Sequence, residues 1–387
     1  MASTKAYVAS AGLTKVADHW NHSLMDLAVE ASRAALKGAP AVKPQCVLVG
    51  NMFSAAGASQ EHLGALLASS LGLEGVAAFK VEAACSSGGS AFNLAYLLVK
   101  SKAIDSALVV GVEKMRDLES EEVSQALALA ESAEYTQFVG ATFAALNGLL
   151  ARHYMERMGV SRDELSALPV IDHTNAVSAA HAQFRKAITL EVIGRSGMVA
   201  DPLRLYDCAP VGDGAAAVVL VNDVAASGAR KGVAEVLSGR VSTTEFSLYE
   251  RKDMLDLSAT RTSFKDAMKQ AGLAPGCIDF VELHDAFSVI GALSLEAMGF
   301  SKKGEGGRDA KDGKYDLNSE LSVNTFGGLK ARGHPVGATG VYQVAEAYLQ
   351  LTDQAGANQV KEAEYGVTQN VGGVDATSAV HVFGRAT

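Results

Sequence analysis

Two short patterns occur twice in this 387-residue chain, and the repetition limits the possible folds more than any other feature. The stretch "VLVGNMFS" at 47–54 aligns with "VELHDAFS" at 281–288, so that Phe53 and Ser54 fall on Phe287 and Ser288. "CSSGGSA" from Cys85 aligns with "HPVGATG" from His334, so that Gly88 answers to Gly337. Each turn of the second pair leads into a helical-period run and then a strand. Internal duplication of one supersecondary plan explains both matches. One hydrophobic core usually stops growing below this chain length, so two core-forming units plus an insertion are expected.

Within each block, β-branched runs alternate with helical ones: "QCVLVGNMF" reads as a strand, "GSAFNLAYLLVKS" as a helix, "DSALVVGVE" as a strand. That is an α/β alternation. The helix after Cys85 is apolar nearly all round, Asn93 excepted, which predicts burial on every side and a central position. The helix after His334 carries Val341, Val344, Ala345 and Tyr348 on one face, with Gln343, Glu346 and Gln350 between them, which predicts one core face and one wet face. Residues 116–208 are more charged and more helical, with a capping box from Ser161 to Glu164, and read as an inserted subdomain. "VGDGAAAVVLVND" at 211–223 then completes the sheet of the first half. The expected division is 1–115 plus 209–225 for the N-terminal half, 116–208 for the insertion and 226–387 for the C-terminal half. By composition, 301–316 reads as a mobile, solvated loop.

Charge and composition exclude several functions. A formal charge of -9 without a basic cluster disfavours nucleic acid. No apolar run approaches the roughly 20 residues that cross a bilayer, and "MASTKAYVAS" shows no secretory signal, so a cytoplasmic location is the default expectation. Cys46, Cys85, Cys208 and Cys277 lie far apart with no CxxC pair, which argues against zinc and against a disulfide framework. His19 and His22 share one face if the segment is helical, but no third ligand is in view, so no metal site is expected.

Cys85 stands apart from the other thiols. At a strand-to-helix turn, free backbone N–H groups and the positive end of the helix dipole favour a thiolate. The small residues Ala83, Ala84, Ser86, Ser87, Gly88 and Gly89 leave room for a substrate carbonyl. From the turn alone, a nucleophile and a buried core cysteine are both open readings. Cys46, Cys208 and Cys277 have no comparable setting and are expected in the core.

Taken together, "ACSSGGSAF", "HYMERMGVSRDELSAL", "DGAAAVVL", "GGLKARGHPVGATG" and the terminal "NVGG" turn decide between those readings. Over essentially its whole length the chain resembles the thiolases, within the thiolase-like condensing-enzyme superfamily. The pattern is most similar to archaeal-type and sterol-carrier-protein-type thiolases. The resemblance implies an α/β thiolase fold, with duplicated βαβαβαββ halves in a five-layer α/β/α/β/α sandwich and an inserted helical loop subdomain. It makes Cys85 the acyl-accepting nucleophile and His334 the group that deprotonates it. The backbone N–H groups of Cys85 and Gly372 would form an oxyanion hole for the acylated cysteine. Coenzyme A is the implied co-substrate, and a homodimer or tetramer the implied assembly. A small accessory protein with an OB fold and a zinc ribbon is a further partner that the archaeal likeness implies.

The departures are equally specific. Where many thiolases carry "NEAF" and a second cysteine in a Cys-x-Gly turn, this chain has "HDAF" at 284–287 and Asn370. Sterol-carrier-type members place a cysteine where Ala286 stands, and a serine that contacts coenzyme A in many thiolases is Ala209 here. His284 is then the titratable side chain left in the matched motifs to handle a second proton or position a water. The expected activity is cleavage of a 3-oxoacyl-CoA, or its formation by Claisen condensation, through an acyl-cysteine on Cys85. The alternatives are a decarboxylating ketosynthase-type enzyme, which also uses a Cys-His-His set, a non-catalytic scaffold subunit, and an aldolase acting on a CoA-linked side chain.

Overall fold

The computed structural model describes residues 4–229 and 231–386, so the start of the N-terminal stretch read for targeting lies outside the described residues. The first half supplies β1 (Tyr7–Leu13), β2 (Cys46–Gly50), β3 (Ala77–Val81) and β4 (Ser106–Glu113). After a small hairpin, β5 (Met198–Ala200) and β6 (Leu203–Arg204), it closes with β7 (Gly214–Val221). The second half supplies β8 (Ala234–Thr243), β9 (Phe280–Glu282), β10 (Ser322–Val323), β11 (Tyr365–Gly372) and β12 (Thr377–Arg385).

Hydrogen bonding runs β3-β2-β4-β7-β1 in one half and β10-β9-β11-β12-β8 in the other. Strand for strand, that is one order used twice. The directions agree too: in each half the second strand is parallel to the third and fourth, and the fifth is antiparallel to the fourth and first. The duplication suggested by two short matches therefore extends to the whole topology. The halves join where β1 and β8 pair at Tyr7↔Glu235 and Val8↔Ala234.

Ahead of β3 lie α1 (Leu24–Gly38), α2 (Ser54–Ala58) and α3 (Leu63–Ser70), and after it α4 (Ser87–Lys100). Between β4 and β7 come α5 (Ser120–Ala128), α6 (Phe143–Met158), α7 (Arg162–Leu165), α8 (Ala167–Ala176) and α9 (Leu190–Arg195). Next is α10 (Val224–Ser227), and the second half adds α11 (Ser258–Ala271), α12 (Ser288–Ala297), α13 (Gly306–Lys311) and α14 (Thr339–Leu351). Helices α1 and α3 cover the outer face of the first sheet, and α11 packs on β8 and β12 of the second, with Leu295 of α12 in the same core as Val281 and Val367. Both α4 and α14 lie between the sheets and touch strands of both halves, which gives the five layers. Strand β7 shows why its sequence is apolar without alternation: Ala215, Ala217 and Val219 pack outward with Leu27 and Ala31 of α1. Its Ala216, Val218 and Leu220 pack inward with Phe92 of α4 and Val341 of α14. A strand covered on both faces has no polar side to show.

The two inner helices meet at glycines. A Cβ on Gly88 would lie 2.7 Å from the carbonyl oxygen of Gly337, and one on Gly340 would overlap the backbone nitrogen of Gly89. Only residues without side chains let these helix starts approach so closely.

Several expectations are corrected. Leu94 and Leu97 of α4 are each 44% exposed, so that helix is buried all round only in its first two turns. Helix α14 has no wet face: Gln343, Glu346 and Gln350 are all buried. Gln343 donates to the carbonyls of Glu282 and Gln369, and Glu346 meets Arg332 and His181. Polarity there marks an internal network rather than water. The segment 301–316 is a packed turn-and-helix: α13 lies within it, Ala310 and Tyr315 are core residues, and Arg308 pairs with Glu164. Its glycines permit close packing against α12 and α7, at Ala292 and Glu164. His19 and His22 sit in a turn before α1, not on a helix. Of the three remaining thiols only Cys46 is core; Cys208 is half-buried and Cys277 exposed. Although it leaves the chain from the first half, the segment from α5 to α9 packs largely on the second, with α6 on α12 and α8 on α13 and the 328–332 turn.

Candidate active site

After β3 the chain turns sharply before entering α4. Ala84 adopts φ +52, a left-handed conformation that strains a residue carrying a Cβ. Its N–H donates to the Glu82 carboxylate at 2.6 Å, the Ser87 hydroxyl receives the Ala83 N–H at 2.9 Å, and the Ser86 hydroxyl donates to the Asn370 carbonyl at 2.9 Å. Cys85 is thereby fixed at the start of α4. His334 holds the matching position before α14. Because the two helices cross at their first turns, the duplicated positions Cys85 and His334 face one cavity.

His284, just beyond β9, lines the same cavity. Its counterpart in the first half is Gly50, where a Cβ would meet the Gly88 backbone at 2.6 Å. One copy of the strand end has no side chain where α4 is seated, and the other carries an imidazole. The rings of His284 and His334 lie edge to face, 5.1 Å between centroids. Met115, Leu127, Phe143, Phe287 and Ile290 make most of the remaining wall apolar, with Asn147 a polar exception. Ala209 and Pro210 separate this cavity from a second one of about 320 Å³, lined by Phe184, Tyr206, Lys186 and Lys330 among others.

The protons can be placed. Nδ1 of His334 lies 2.7 Å from the Thr339 hydroxyl, which itself donates to the Pro335 carbonyl at 3.2 Å. Nδ1 is then the donor, and Nε2 keeps a free lone pair. Burial pushes His284 down to about 3 and holds His334 well below the usual imidazole range, so both rings are neutral at pH 7.

Cys85 departs from expectation. Burial first, and the nearby Glu113 second, push its thiol up to about 12, outweighing its own backbone N–H. At rest the sulfur carries its proton, and it loses that proton only to a base at hand. Alkylation of the unliganded protein by iodoacetamide is therefore expected to be slow at pH 7 and to rise tenfold per pH unit up to at least pH 10. A plateau below pH 8 would show a preformed thiolate.

Sequence reasoning missed three supports. Glu113, the charged end of an otherwise apolar strand, is buried and accepts N–H groups from Met52 at 2.6 Å and Gly337 at 3.0 Å, with the Asn51 amide at 2.9 Å. It ties together one strand end from the first repeat and one helix start from the second. Burial pushes it up to about 8 while those donors pull the other way. Lys330 is buried against the Asp285 carboxylate at 2.6 Å, with Asp172 at 3.8 Å. Asn370, read only as the absence of a cysteine, reaches both Cys85 and His284. Gly372 ends β11 where a Cβ would overlap the Ala83 carbonyl, and its neighbour Gly373 lines the cavity. Among the described residues no cluster of His, Cys, Asp and Glu is suited to a metal ion.

A thiol and two neutral imidazoles face one largely apolar cavity on a duplicated five-layer α/β sandwich. Residues 6–224 match the family model for the thiolase N-terminal domain, and residues 240–385 that for a thiolase C-terminal domain-like unit. An acetyl-CoA acetyltransferase of Methanothermobacter thermautotrophicus is 42% identical over 96% of this chain and 97% of that protein. Among solved structures, an Ltp2-ChsH2(DUF35) aldolase superposes with a TM-score of 0.85 at 22% identity, covering 100% of this chain and 99% of that one. The Acat5 thiolase of Ascaris suum in complex with coenzyme A gives 0.74 at 20% identity, covering 99% and 100%. The chain belongs to the thiolase family, and as such it is an acyltransferase.

Proposed function

We propose that the protein is a CoA-dependent thiolase that cleaves a 3-oxoacyl-CoA, or forms one by Claisen condensation, through an acyl-cysteine on Cys85. The observation that carries this reading is the convergence of Cys85, His334 and His284 on one apolar cavity. In cleavage, the Cys85 sulfur attacks the 3-keto carbon as His334 Nε2 takes its proton. The bond between carbons 2 and 3 breaks, and the proton held on His334 passes to the carbanion at carbon 2, releasing carbons 1 and 2 as acetyl-CoA and leaving the shortened acyl chain on Cys85. A second CoA thiol gives its proton to His334 and attacks the acyl group, and Cys85 leaves as thiolate and recovers that proton. One imidazole therefore balances both half-reactions without a second cysteine. His284 donates to the oxygen of the attacked ketone, and the N–H groups of Cys85 and Gly372 hold the thioester oxygen of the acyl-enzyme.

Coenzyme A would lie in the second cavity, with its thiol arm passing Ala209 and Pro210 and its phosphates near the exposed Lys186. The conformation of the backbone rather than a hydroxyl at 209 guides it: the Ala209 N–H is tied to the Ala286 carbonyl at 2.8 Å. The free edge of β3, with Phe79 exposed beside Leu66, Leu94 and Leu97, suits pairing with a second copy. An accessory OB-fold and zinc-ribbon protein is a further partner, and the Ltp2-ChsH2(DUF35) assembly supports a second protein on this fold. No helix among the described residues is long and apolar enough to cross a membrane.

The test is intact-mass and peptide mass spectrometry after incubation with a short acyl-CoA. An acyl adduct on Cys85, discharged by added CoA, is expected, and absence of any adduct would rule the mechanism out. The paired histidines also suit a decarboxylating condensation, which labelled carbon dioxide released from malonyl-CoA would reveal.

A further inference from the structure

The Asn370 side chain is 2% exposed and has three partners. The Gly89 N–H points at its Oδ1 at 3.1 Å, while Nδ2 lies 3.1 Å from the Cys85 carbonyl and 3.1 Å from Nδ1 of His284. Two of these contacts fix the amide independently: an N–H can only donate and a carbonyl can only accept, so oxygen faces Gly89 and nitrogen faces Cys85. The remaining contact then has one solution. Nδ2 donates to His284, Nδ1 of the ring is bare, and the ring proton sits on Nε2.

We propose that Asn370 is the positioning residue that locks His284 as a permanent hydrogen-bond donor to the reacting carbonyl, and removes it from proton transfer. The proposal rests on the acyl-transfer reading above. A cysteine or carboxylate at this position could carry a proton, whereas an amide cannot. Asn370 replaces a second acid/base by a fixed dipole, and at the same time it clamps the nucleophile turn through Cys85 and α4 through Gly89. The other charged or titratable groups facing His284 do not set its tautomer: Asp285, Arg332 and Lys330 act through space, and His334 lies edge to face with it. The His284 N–H of the main chain is held separately, by the Gln369 side chain at 2.8 Å.

The test has an arm that needs no activity. With 15N-labelled histidine, the His284 resonance, assigned by its loss in His284→Gln, should show a protonated Nε2 and a bare Nδ1 in the wild-type protein from pH 6 to 8. A protonated Nδ1 would overturn the proposal whether or not the enzyme is a thiolase. In Asn370→Asp, a carboxylate oxygen facing Nδ1 should reverse the tautomer, lower kcat by about 10²–10³-fold with KM within about threefold, and add a histidine ionisation to the pH profile. Asn370→Ala, which removes the clamp without reversing it, should show mixed tautomers and a smaller loss. Equal kcat losses in both variants, with His284 unchanged in its resonance, would assign Asn370 a purely structural role. Failure of the acyl-cysteine test with the wild-type tautomer as stated would instead remove the thiolase reading alone.

Discussion

Cys85→Ala is expected to lower thiolysis by at least about 10⁴-fold while leaving the fold intact. The size follows from what the sulfur does. In the proposed mechanism it forms and breaks the only covalent bond between protein and acyl group, and no neighbouring side chain takes that role. Deleting a nucleophile that works as a unit with its base costs roughly as much as deleting the pair, with residual catalysis from oriented hydrogen-bond donors alone. The fold survives because Cys85 is half-buried at the edge of a cavity, and its backbone carbonyl, held by Asn370, is unchanged. The measurement is kcat/KM for thiolysis beside thermal unfolding of both proteins. Thiolysis within tenfold of wild type would overturn the acyl-cysteine mechanism, and retained carbon–carbon cleavage that consumes no free CoA would point instead to the aldolase reading, which needs no thiolate.

Lys330→Met should destabilise the protein by about 3–5 kcal/mol at pH 7.5, because removing one partner of a buried ion pair strands the other. Lys330 lies between the Asp285 and Asp172 carboxylates, all three buried. In the wild type, Lys330 holds Asp285 below the usual carboxylate range, against burial, while burial and Asp285 hold Asp172 well above it. A depressed carboxylate stabilises the fold above its unfolded-state value, and that contribution is lost as pH falls through the native one. Without Lys330 the sign reverses for Asp285, whose native value rises above the unfolded one. The variant then takes up a proton on folding, so its deficit should shrink as pH drops from 7.5 to 5.5. Urea unfolding at the two pH values reads this directly. A deficit that stays constant would mean that lost packing of the side chain, not a stranded charge, is responsible.

The candidate site was legible in part. Cys85 stood out by its place at a strand-to-helix turn, but it was the resemblance to thiolases that singled out His334 and His284 and gave all three residues their expected roles. What their motifs could not show is ionisation. The helix start argued for an easily formed thiolate, yet the apolar wall of Met115, Leu127 and Phe143 and the carboxylate of Glu113 dominate, so the thiol rests neutral. Desolvation depends on every neighbour in space, and most of these come from residues far away in the chain. The wet face expected for α14 failed for a related reason. Periodicity reports where polar residues lie on a helix, but not whether Arg332, His181 and Glu282 will be there to satisfy them.

The amino-acid order alone determined the α/β alternation and the twofold plan, because local periodicity and repetition are properties of the chain itself, and its motifs marked three candidate side chains by resemblance. Only the tertiary structure decided how those side chains hold their protons. It brought Asn370 to His284, Thr339 to His334 and Glu113 near Cys85, and hydrogen bonds and burial act between groups that folding alone makes neighbours.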